Sequence, residues 1–251
     1  MTISHFTTTQ NRRLAYRRTK SAPGKASFIW LSGFKSDMTG SKVTLLEAWA
    51  REEGHGFLAF DYSGHGASDG DFKEGTISAW REDTLGAIDT LTDGPQILVG
   101  SSMGGWMALL AAMARPERIA GMVLIAPAPD FTEKLMWPDL LPEEKKEILQ
   151  NGVYYQPSEY DEPLPLTKSL FDDGKGWQIM DAPIKFSGPV RILQGMRDEP
   201  VPWQHAQALV DVLTTDDLTF TLIKDGDHRL SRDEDIARLL ATCGEIASKI
   251  K

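Results

Sequence analysis

The chain has 251 residues, of which 41% are hydrophobic and 25% charged, a balance typical of a soluble globular protein that buries its own core. Its formal net charge of −9 argues against a nucleic-acid partner, which usually favours a basic surface. No apolar run approaches the roughly 18 residues of a membrane-spanning helix, so we expect no stable membrane insertion. The chain has a single cysteine, Cys243, which excludes an internal disulfide and a cysteine zinc site.

The N-terminal region predicts a hairpin. Residues 1–10 lack the apolar core of a signal peptide, so we expect a cytoplasmic protein. Segments 3–9 and 12–18 alternate in polarity and predict two antiparallel strands. The basic side chains of 12–20 alternate with apolar ones, which favours a solvated edge strand over an anion-binding surface.

Between residues 28 and 126 the sequence alternates short apolar runs with stretches of helical periodicity. This rhythm predicts parallel strands joined by crossover helices, and the nearly continuous apolar strands indicate that helices cover both faces of the sheet. The expected fold class is therefore α/β. Strands are predicted at 28–31, 56–61, 96–99 and 121–126, and helices at 44–53, 78–92 and 103–114.

The alternation of predicted strands and helices ends at Pro127. Residues 127–186 hold eight of the fourteen prolines and show no clear strand, but their aromatic side chains argue against disorder. We predict that 127–186 is an insertion that lies over the sheet as a cap or lid, while 1–126 and 187–251 form one core. The pattern resumes with strands at 190–193 and 218–223 and helices at 203–213 and 233–249.

A serine motif follows the predicted strand 96–99. The segment 100–104 reads Gly-Ser-Ser-Met-Gly, which fits Gly-x-Ser-x-Gly and joins a buried strand to a helix, the setting of a nucleophile elbow. The pattern assigns Ser102 as the nucleophile, whereas Ser101 would point toward the core. The sharp turn requires glycine at Gly100 and Gly104, where Cβ atoms would clash. An ordinary strand-to-helix turn with a serine N-cap is the alternative.

A serine nucleophile needs a base and an orienting carboxylate, in the chain order Ser, Asp or Glu, His. His228 follows the last strand and Asp198 follows strand 190–193. Both therefore lie at the carboxyl ends of strands, where open α/β sheets bind ligands. The competing candidates are a helical histidine, a neighbouring carboxylate and two turn carboxylates: His205, Glu199, Asp225 and Asp227.

Two backbone N–H groups are expected to form an oxyanion hole. The residue after the nucleophile, Met103, supplies one, and Phe34 in the loop after strand 28–31 supplies the other. A second Asp–His segment, 61–68, has the wrong order for catalysis. We interpret it as a structural turn in which Asp61 satisfies loop N–H groups, with a substrate-facing His65 as the lesser alternative.

Three segments, 61–70, 93–106 and 201–203, closely resemble the mitochondrial palmitoyl-protein thioesterases, also known as mycophenolic acid acyl-glucuronide esterases, of the α/β-hydrolase superfamily. The resemblance implies an α/β-hydrolase fold and hydrolysis of acyl thioesters and esters, including S-acyl cysteine and acyl glucuronides. The partner would then be a small acyl ester or thioester, or an acylated protein. Members of that family carry a transit peptide, which is not evident here, so the expectation of a cytoplasmic protein stands at this point.

The expected mechanism is acyl transfer through a serine–histidine–aspartate triad and an acyl-enzyme, which needs neither a metal nor an organic cofactor. Two alternatives remain open. One is other chemistry of the same fold, such as a C–C bond hydrolase or a lyase-like enzyme. The other is a catalytically inactive binding protein, which would usually have lost a triad residue or an elbow glycine.

Overall fold

An eight-stranded sheet forms the centre of the molecule, as the alternation of strands and helices predicts. The structure, a computed structural model, describes residues 2–157 and 162–250. The strands are β1 (Ser4–Thr7), β2 (Arg13–Thr19), β3 (Ser27–Leu31), β4 (Gly56–Phe60), β5 (Gln96–Ser101), β6 (Ile119–Ile125), β7 (Val153–Gln156), β8 (Leu164–Thr167), β9 (Val190–Gly195) and β10 (Leu218–Ile223). The helices are α1 (Ser41–Glu52), α2 (Ile77–Leu91), α3 (Met103–Ala114), α4 (Trp137–Asp139), α5 (Pro142–Asn151), α6 (Lys168–Gly174), α7 (Trp203–Val212) and α8 (Asp233–Lys249).

The sheet has the strand order β1-β2-β4-β3-β5-β6-β9-β10. Strands β4, β3, β5, β6, β9 and β10 are parallel, and the hairpin β1–β2 joins them antiparallel through β4. The carboxyl ends of the parallel strands therefore meet at one edge of the sheet. The predicted α/β class is confirmed.

Apolar side chains cover both faces of the sheet. In β5 every residue is buried, and Leu98 packs into one core while Val99 packs into the other. Helices α2, α3 and α7 contribute to the first core, and α1 and α8 to the second. Alternate strand residues point to opposite faces, so a strand covered on both sides must be apolar throughout.

The basic hairpin is not a solvated edge strand, and that prediction is wrong. Strand β2 lies between β1 and β4, so it is second from the edge. Two charges of this segment pair with carboxylates on helices of opposite faces. Arg12, just before β2, donates through Nε to Asp83 on α2 at 2.7 Å, and Arg17 Nη2 in β2 lies 2.8 Å from Glu47 on α1. Strand neighbours are set by long-range pairing, which the local alternation does not report.

Residues 127–186, the predicted insertion, follow β6 and precede β9, and they contain short helices and one hairpin. A π-helical turn over Thr132–Met136 leads into α4, and β7 pairs antiparallel with β8. The expectation that this segment holds no strand is therefore wrong, since Pro165 takes a place in β8 opposite Tyr155. Proline is tolerated in such edge strands because the ladder there does not need every N–H. Residues 158–161 of the insertion lie outside the described residues.

A buried carboxylate joins the two ends of the insertion. Asp130, near its start, has φ of 55° and no exposed surface. Its two oxygens accept the backbone N–H groups of Ile179 and Met180, each at 2.9 Å. Burial raises the pKa of Asp130, and these two hydrogen bonds oppose that rise.

Candidate active site

Ser102 occupies a sharp turn between β5 and α3. Its backbone has φ 55° and ψ −119°, a conformation that costs energy for a residue with a Cβ. Its N–H donates to Ile125 O of the neighbouring strand β6 at 2.9 Å, which fixes the turn against the sheet. The turn thus places the serine side chain above the carboxyl edge of the sheet.

The glycines on either side of Ser102 are required by close packing. A Cβ on Gly100 would lie 2.4 Å from Gly104 O, and a Cβ on Gly104 would lie 2.0 Å from Leu31 O. Both distances are far below van der Waals contact with rigid backbone. The turn can therefore form only with glycine at these two positions.

The residues that carry the two expected oxyanion donors line one cavity with Ser102. Met103 is the first residue of α3, where a backbone N–H has no acceptor within the helix. Phe34 follows Gly33 in the loop after β3, and a Cβ built on Gly33 would lie 3.4 Å from Ser102 Cβ. Phe34 and Met103 both line a cavity that also contains Ser102.

Asp198 and His228 are joined directly. His228 Nδ1 lies 3.0 Å from Asp198 Oδ1 and 2.9 Å from Oδ2, so its N–H donates to the carboxylate. The Asp198 side chain has no exposed surface. It also accepts hydrogen bonds from the Gln194 side-chain amide at 2.9 Å and from Val201 N–H at 2.8 Å. In the neutral imidazole, this arrangement places the proton on Nδ1 and leaves Nε2 able to act as a base.

Ser102 and His228 line the same two cavities. Among the residues that the structure describes, no hydrogen bond joins Ser102 Oγ to the imidazole. Such a bond is commonly long without substrate and shortens when the reacting complex forms. The structure therefore brings Asp198 and His228 into contact and places Ser102 beside them.

The competing residues have other surroundings. His205, on α7, bonds through Nε2 to Pro129 O at 2.8 Å and so joins that helix to the insertion. Glu199 is exposed. Asp225 and Asp227 bond to groups of their own loop and its continuation. Within the described part of the chain, none of these four forms a hydrogen bond or ion pair with the imidazole of the candidate base.

The turn that follows β4 holds the expected structural carboxylate. Asp61 Oδ1 accepts Met38 N–H at 2.7 Å, and Oδ2 accepts Ala67 N–H at 2.8 Å. The interpretation of Asp61 as a group that satisfies loop N–H donors is confirmed. Burial raises the pKa of Asp61, and these two hydrogen bonds counteract the rise.

His65, in the same turn, packs among aromatic rings and is buried. Its Nδ1 bonds to Ser63 O at 3.2 Å, and its Nε2 accepts Lys35 N–H at 3.3 Å. Burial lowers the pKa of His65 to about 4, so the imidazole is neutral near pH 7. Sequence reasoning missed this contact with the loop that follows β3, because the two loops are far apart in the chain.

The nucleophile lies between two cavities of different character. An apolar cavity of about 300 Å³ and a polar cavity of about 360 Å³ share Ser102, His228 and Phe34. Apolar side chains form most of the wall of the first: Met103, Ala128, Phe131, Leu135, Met136 and Val201. Three polar side chains, Asp139, Glu144 and Gln156, also line it. Polar side chains line the second: Ser36, Asp37, Ser41, Lys42, Arg229 and Ser231.

Neither a metal cluster nor a membrane-spanning helix is found in the described ranges. No group of three or more His, Cys, Asp or Glu side chains there could hold a metal ion. No helix there combines the length and apolar character needed to cross a bilayer.

The chain is similar to known proteins over nearly its whole length. A family described as "Alpha/beta hydrolase family" matches residues 24–241. The mouse protein named "Palmitoyl-protein thioesterase ABHD10, mitochondrial" is 38% identical over 99% of this chain and 83% of its own length. A solved structure from Agrobacterium vitis S4 has 42% identity and a TM-score of 0.94, and covers 98% of each chain. That of mouse alpha/beta hydrolase domain-containing protein 10 has 36% identity and a TM-score of 0.90, and covers 99% of each chain. The resemblance inferred from the motifs is confirmed.

The expectation of a cytoplasmic protein is corrected by these comparisons. The relatives from mouse and human that match over most of this chain are named mitochondrial. The error arose because an apolar core marks a secretory signal peptide, and its absence from residues 1–10 does not distinguish the cytoplasm from mitochondria.

Proposed function

The chain belongs to the α/β-hydrolase family, and we propose that it hydrolyses carboxylic thioesters and esters by acyl transfer through Ser102. One observation carries the proposal: a serine on a strained strand-to-helix turn shares a cavity with a histidine bonded to a buried aspartate. The relative named a palmitoyl-protein thioesterase supports acyl thioesters as the substrate class, either on a protein or on a small molecule.

In the proposed mechanism, His228 Nε2 removes the proton of Ser102 Oγ, which attacks the acyl carbonyl carbon. Asp198 holds the imidazole in the required tautomer and stabilises the imidazolium that forms. The thiol or alcohol leaves with the proton from His228, and an acyl-serine remains. His228 then activates water, which releases the acid and restores the serine.

The negative charge on the carbonyl oxygen would be held by the N–H groups of Phe34 and Met103. Loss of one such donor typically costs about 2.7–4 kcal/mol of transition-state stabilisation. Because these donors belong to the backbone, their placement depends on the elbow and on the loop after β3. The residues that hold that loop in place therefore belong to the proposed site.

We assign the acyl chain to the apolar cavity. Its wall is built largely from the insertion, including Phe131, Leu135 and Met136, while Met103 forms the part nearest the nucleophile. A cavity of about 300 Å³ is at the small end of ligand pockets, and its wall is mostly apolar, with Asp139, Glu144 and Gln156 as the polar side chains contributed by this segment. The insertion would then determine which acyl chains are accepted.

The test is intact-mass analysis after treatment with a fluorophosphonate, on the wild-type protein and on Ser102→Ala. We expect one adduct on the wild type and none on the variant, together with turnover of an S-octanoyl thioester by the wild type alone. An adduct without thioester or ester turnover would favour other chemistry of this fold. A folded wild type that forms no adduct would contradict an activated serine and favour a binding protein.

A further inference from the structure

The polar cavity beside Ser102 contains a lysine that the proposed mechanism does not use. Lys42 is the second residue of α1 and lies in the cavity wall together with Ser102 and His228. Its Nζ donates to the backbone oxygen of Arg229 and to Ser231 Oγ, the latter at 3.3 Å. These acceptors lie one and three residues after His228, so Lys42 is fixed to the loop that carries the candidate base.

The ammonium of Lys42 has one donor left after these two hydrogen bonds, since it carries three N–H groups. Both acceptors are neutral. Asp37, which also lines the cavity, directs its carboxylate to the N–H and hydroxyl of Thr39, at 2.7 and 2.6 Å. The remaining donor of Lys42 is therefore available to a bound molecule.

Lys42 lacks a direct counter-charge. Within the described residues, no carboxylate lies at ion-pairing distance from its Nζ. Burial lowers the pKa of Lys42 to about 8, and the more distant Asp227 and Asp235 offset only part of that effect. A partly desolvated cation that has no counter-charge is stabilised when an anion binds beside it.

The position of the cavity determines which part of a substrate it can receive. The carbonyl carbon of an ester or thioester must lie at Ser102, with the acyl chain and the leaving group extending in different directions. The acyl chain fits the apolar cavity, where burial of hydrocarbon is favourable. The leaving group then extends into the polar cavity.

We propose that the polar cavity is a leaving-group subsite in which Lys42 binds an anionic group, a carboxylate or a phosphate, carried by the departing thiol or alcohol. This inference rests on the proposed function of Ser102. It predicts a preference for anionic over neutral leaving groups that depends on one side chain outside the acyl-transfer machinery.

The test uses three thioesters with one acyl chain: S-octanoyl mercaptopropanoate, its neutral mercaptopropanamide counterpart, and S-octanoyl mercaptoethyl phosphate. We expect the wild type to prefer one or both anions in kcat/KM by roughly tenfold or more, the typical strength of a charge-assisted hydrogen bond. Lys42→Met should remove that preference, measured as the ratio of kcat/KM for each anion to kcat/KM for the amide, so that any loss common to all three thioesters cancels. The carboxylate and phosphate arms identify which anion the subsite takes.

Two controls isolate the role of the side chain. Lys42→Arg keeps the charge and should keep most of the preference. Lys146→Met removes the same charge from an exposed position on α5 and should change nothing. A preference that survives in Lys42→Met, or that Lys146→Met also removes, would overturn the inference.

Binding to Ser102→Ala keeps the inference testable apart from turnover. Calorimetry should give the mercaptopropanoate or the phosphate thioester a lower Kd than the amide, and the double variant with Lys42→Met should bind all three equally. Equal affinities in Ser102→Ala itself would overturn the subsite even if the wild type hydrolyses every thioester. Absence of turnover in the wild type would instead contradict the proposed function.

Discussion

The imidazole Nε2 of His65 accepts the backbone N–H of Lys35 at 3.3 Å, and this bond joins two loops that follow different strands. Lys35 has φ of 58°, in the left-handed region, directly after the proposed oxyanion donor Phe34. The bond to Ser63 O places the imidazole proton on Nδ1 and leaves Nε2 as the acceptor. A neutral His65 therefore supports the left-handed backbone conformation at Lys35.

Replacement of His65 by leucine removes this acceptor. We expect kcat on a thioester to fall roughly ten- to hundredfold with little change in KM, because a displaced oxyanion donor weakens only the transition state. His65→Gln retains an acceptor and should recover part of the loss. His55→Leu, at the start of β4, is the matched control and should keep full activity; a folded His65→Leu enzyme with normal kcat would contradict the positioning role.

Stability should depend on the protonation of His65. Its pKa in the fold is about 4, below the ordinary value of 6.5, so the unfolded chain binds a proton first as the pH falls. The stability contributed by the neutral imidazole is thus complete above pH 6.5 and decreases between pH 6.5 and 4. Between pH 7 and pH 4.5, the free energy of unfolding of the wild type should decrease by about 2–3 kcal/mol more than that of His65→Gln, as measured by urea denaturation. Equal losses in the two proteins would show that His65 does not titrate in this way.

The Asp198–His228 contact predicts a large effect on catalysis. Asp198→Asn should lower kcat by about three to four orders of magnitude, because an amide favours the wrong imidazole tautomer. Glu199→Gln changes the neighbouring exposed carboxylate and should leave kcat within a factor of about two. Steady-state kinetics on one thioester separates the two residues. A larger loss in Glu199→Gln would reassign the acid.

Packing at the elbow predicts a stability effect at Gly104. A Cβ there would lie 2.0 Å from Leu31 O, and neither the strand nor the helix can yield without disturbing the core. We expect Gly104→Ala to lower the free energy of unfolding by at least about 3 kcal/mol, or to prevent folding. Gly176→Ala, where a Cβ meets nothing within 4 Å, should be neutral. Urea denaturation measures both, and similar midpoints would contradict the packing argument.

Cys243 should be unreactive in the folded protein. Its side chain on α8 is fully buried in the second core, and burial raises the pKa of the thiol. A thiol-specific chromogenic reagent should therefore label it only after denaturation. Stoichiometric labelling of the folded chain at neutral pH would show that α8 opens readily.

Much of the core fold could be predicted from sequence, because each buried strand and amphipathic helix leaves a local pattern. The segment 96–114 shows this well: an apolar run, a glycine–serine turn and a helix appear where the structure has β5, Ser102 and α3. The neighbours of β2 could not be predicted in this way, because they depend on pairing between distant segments. The hairpin β7–β8 was missed because proline in β8 obscures the alternation.

The same distinction applies to the candidate site, where residues with a local sequence signal could be predicted and residues placed by distant contacts could not. Ser102, Asp198 and His228 were predicted because each stands at the end of a recognisable strand. Gln194, which donates to Asp198, carried only a weak signal, a polar residue at the end of an apolar strand. Lys42 contacts the loop 187 and 189 residues further along the chain, and no local pattern reports a contact at that separation.

Asp130 ties the chain entering the insertion to the chain leaving it, 49 and 50 residues later. The segment between these bonds builds most of the wall of the apolar cavity, and it is also held to α2 where Ser78 bonds Asp173 and Trp177. The strands of the main sheet, the elbow and His228 lie outside this segment. Selection can therefore alter the wall of the apolar cavity without disturbing the reacting groups. Related enzymes would then differ in the acyl chains that they accept through substitutions in this segment, while the triad residues stay the same.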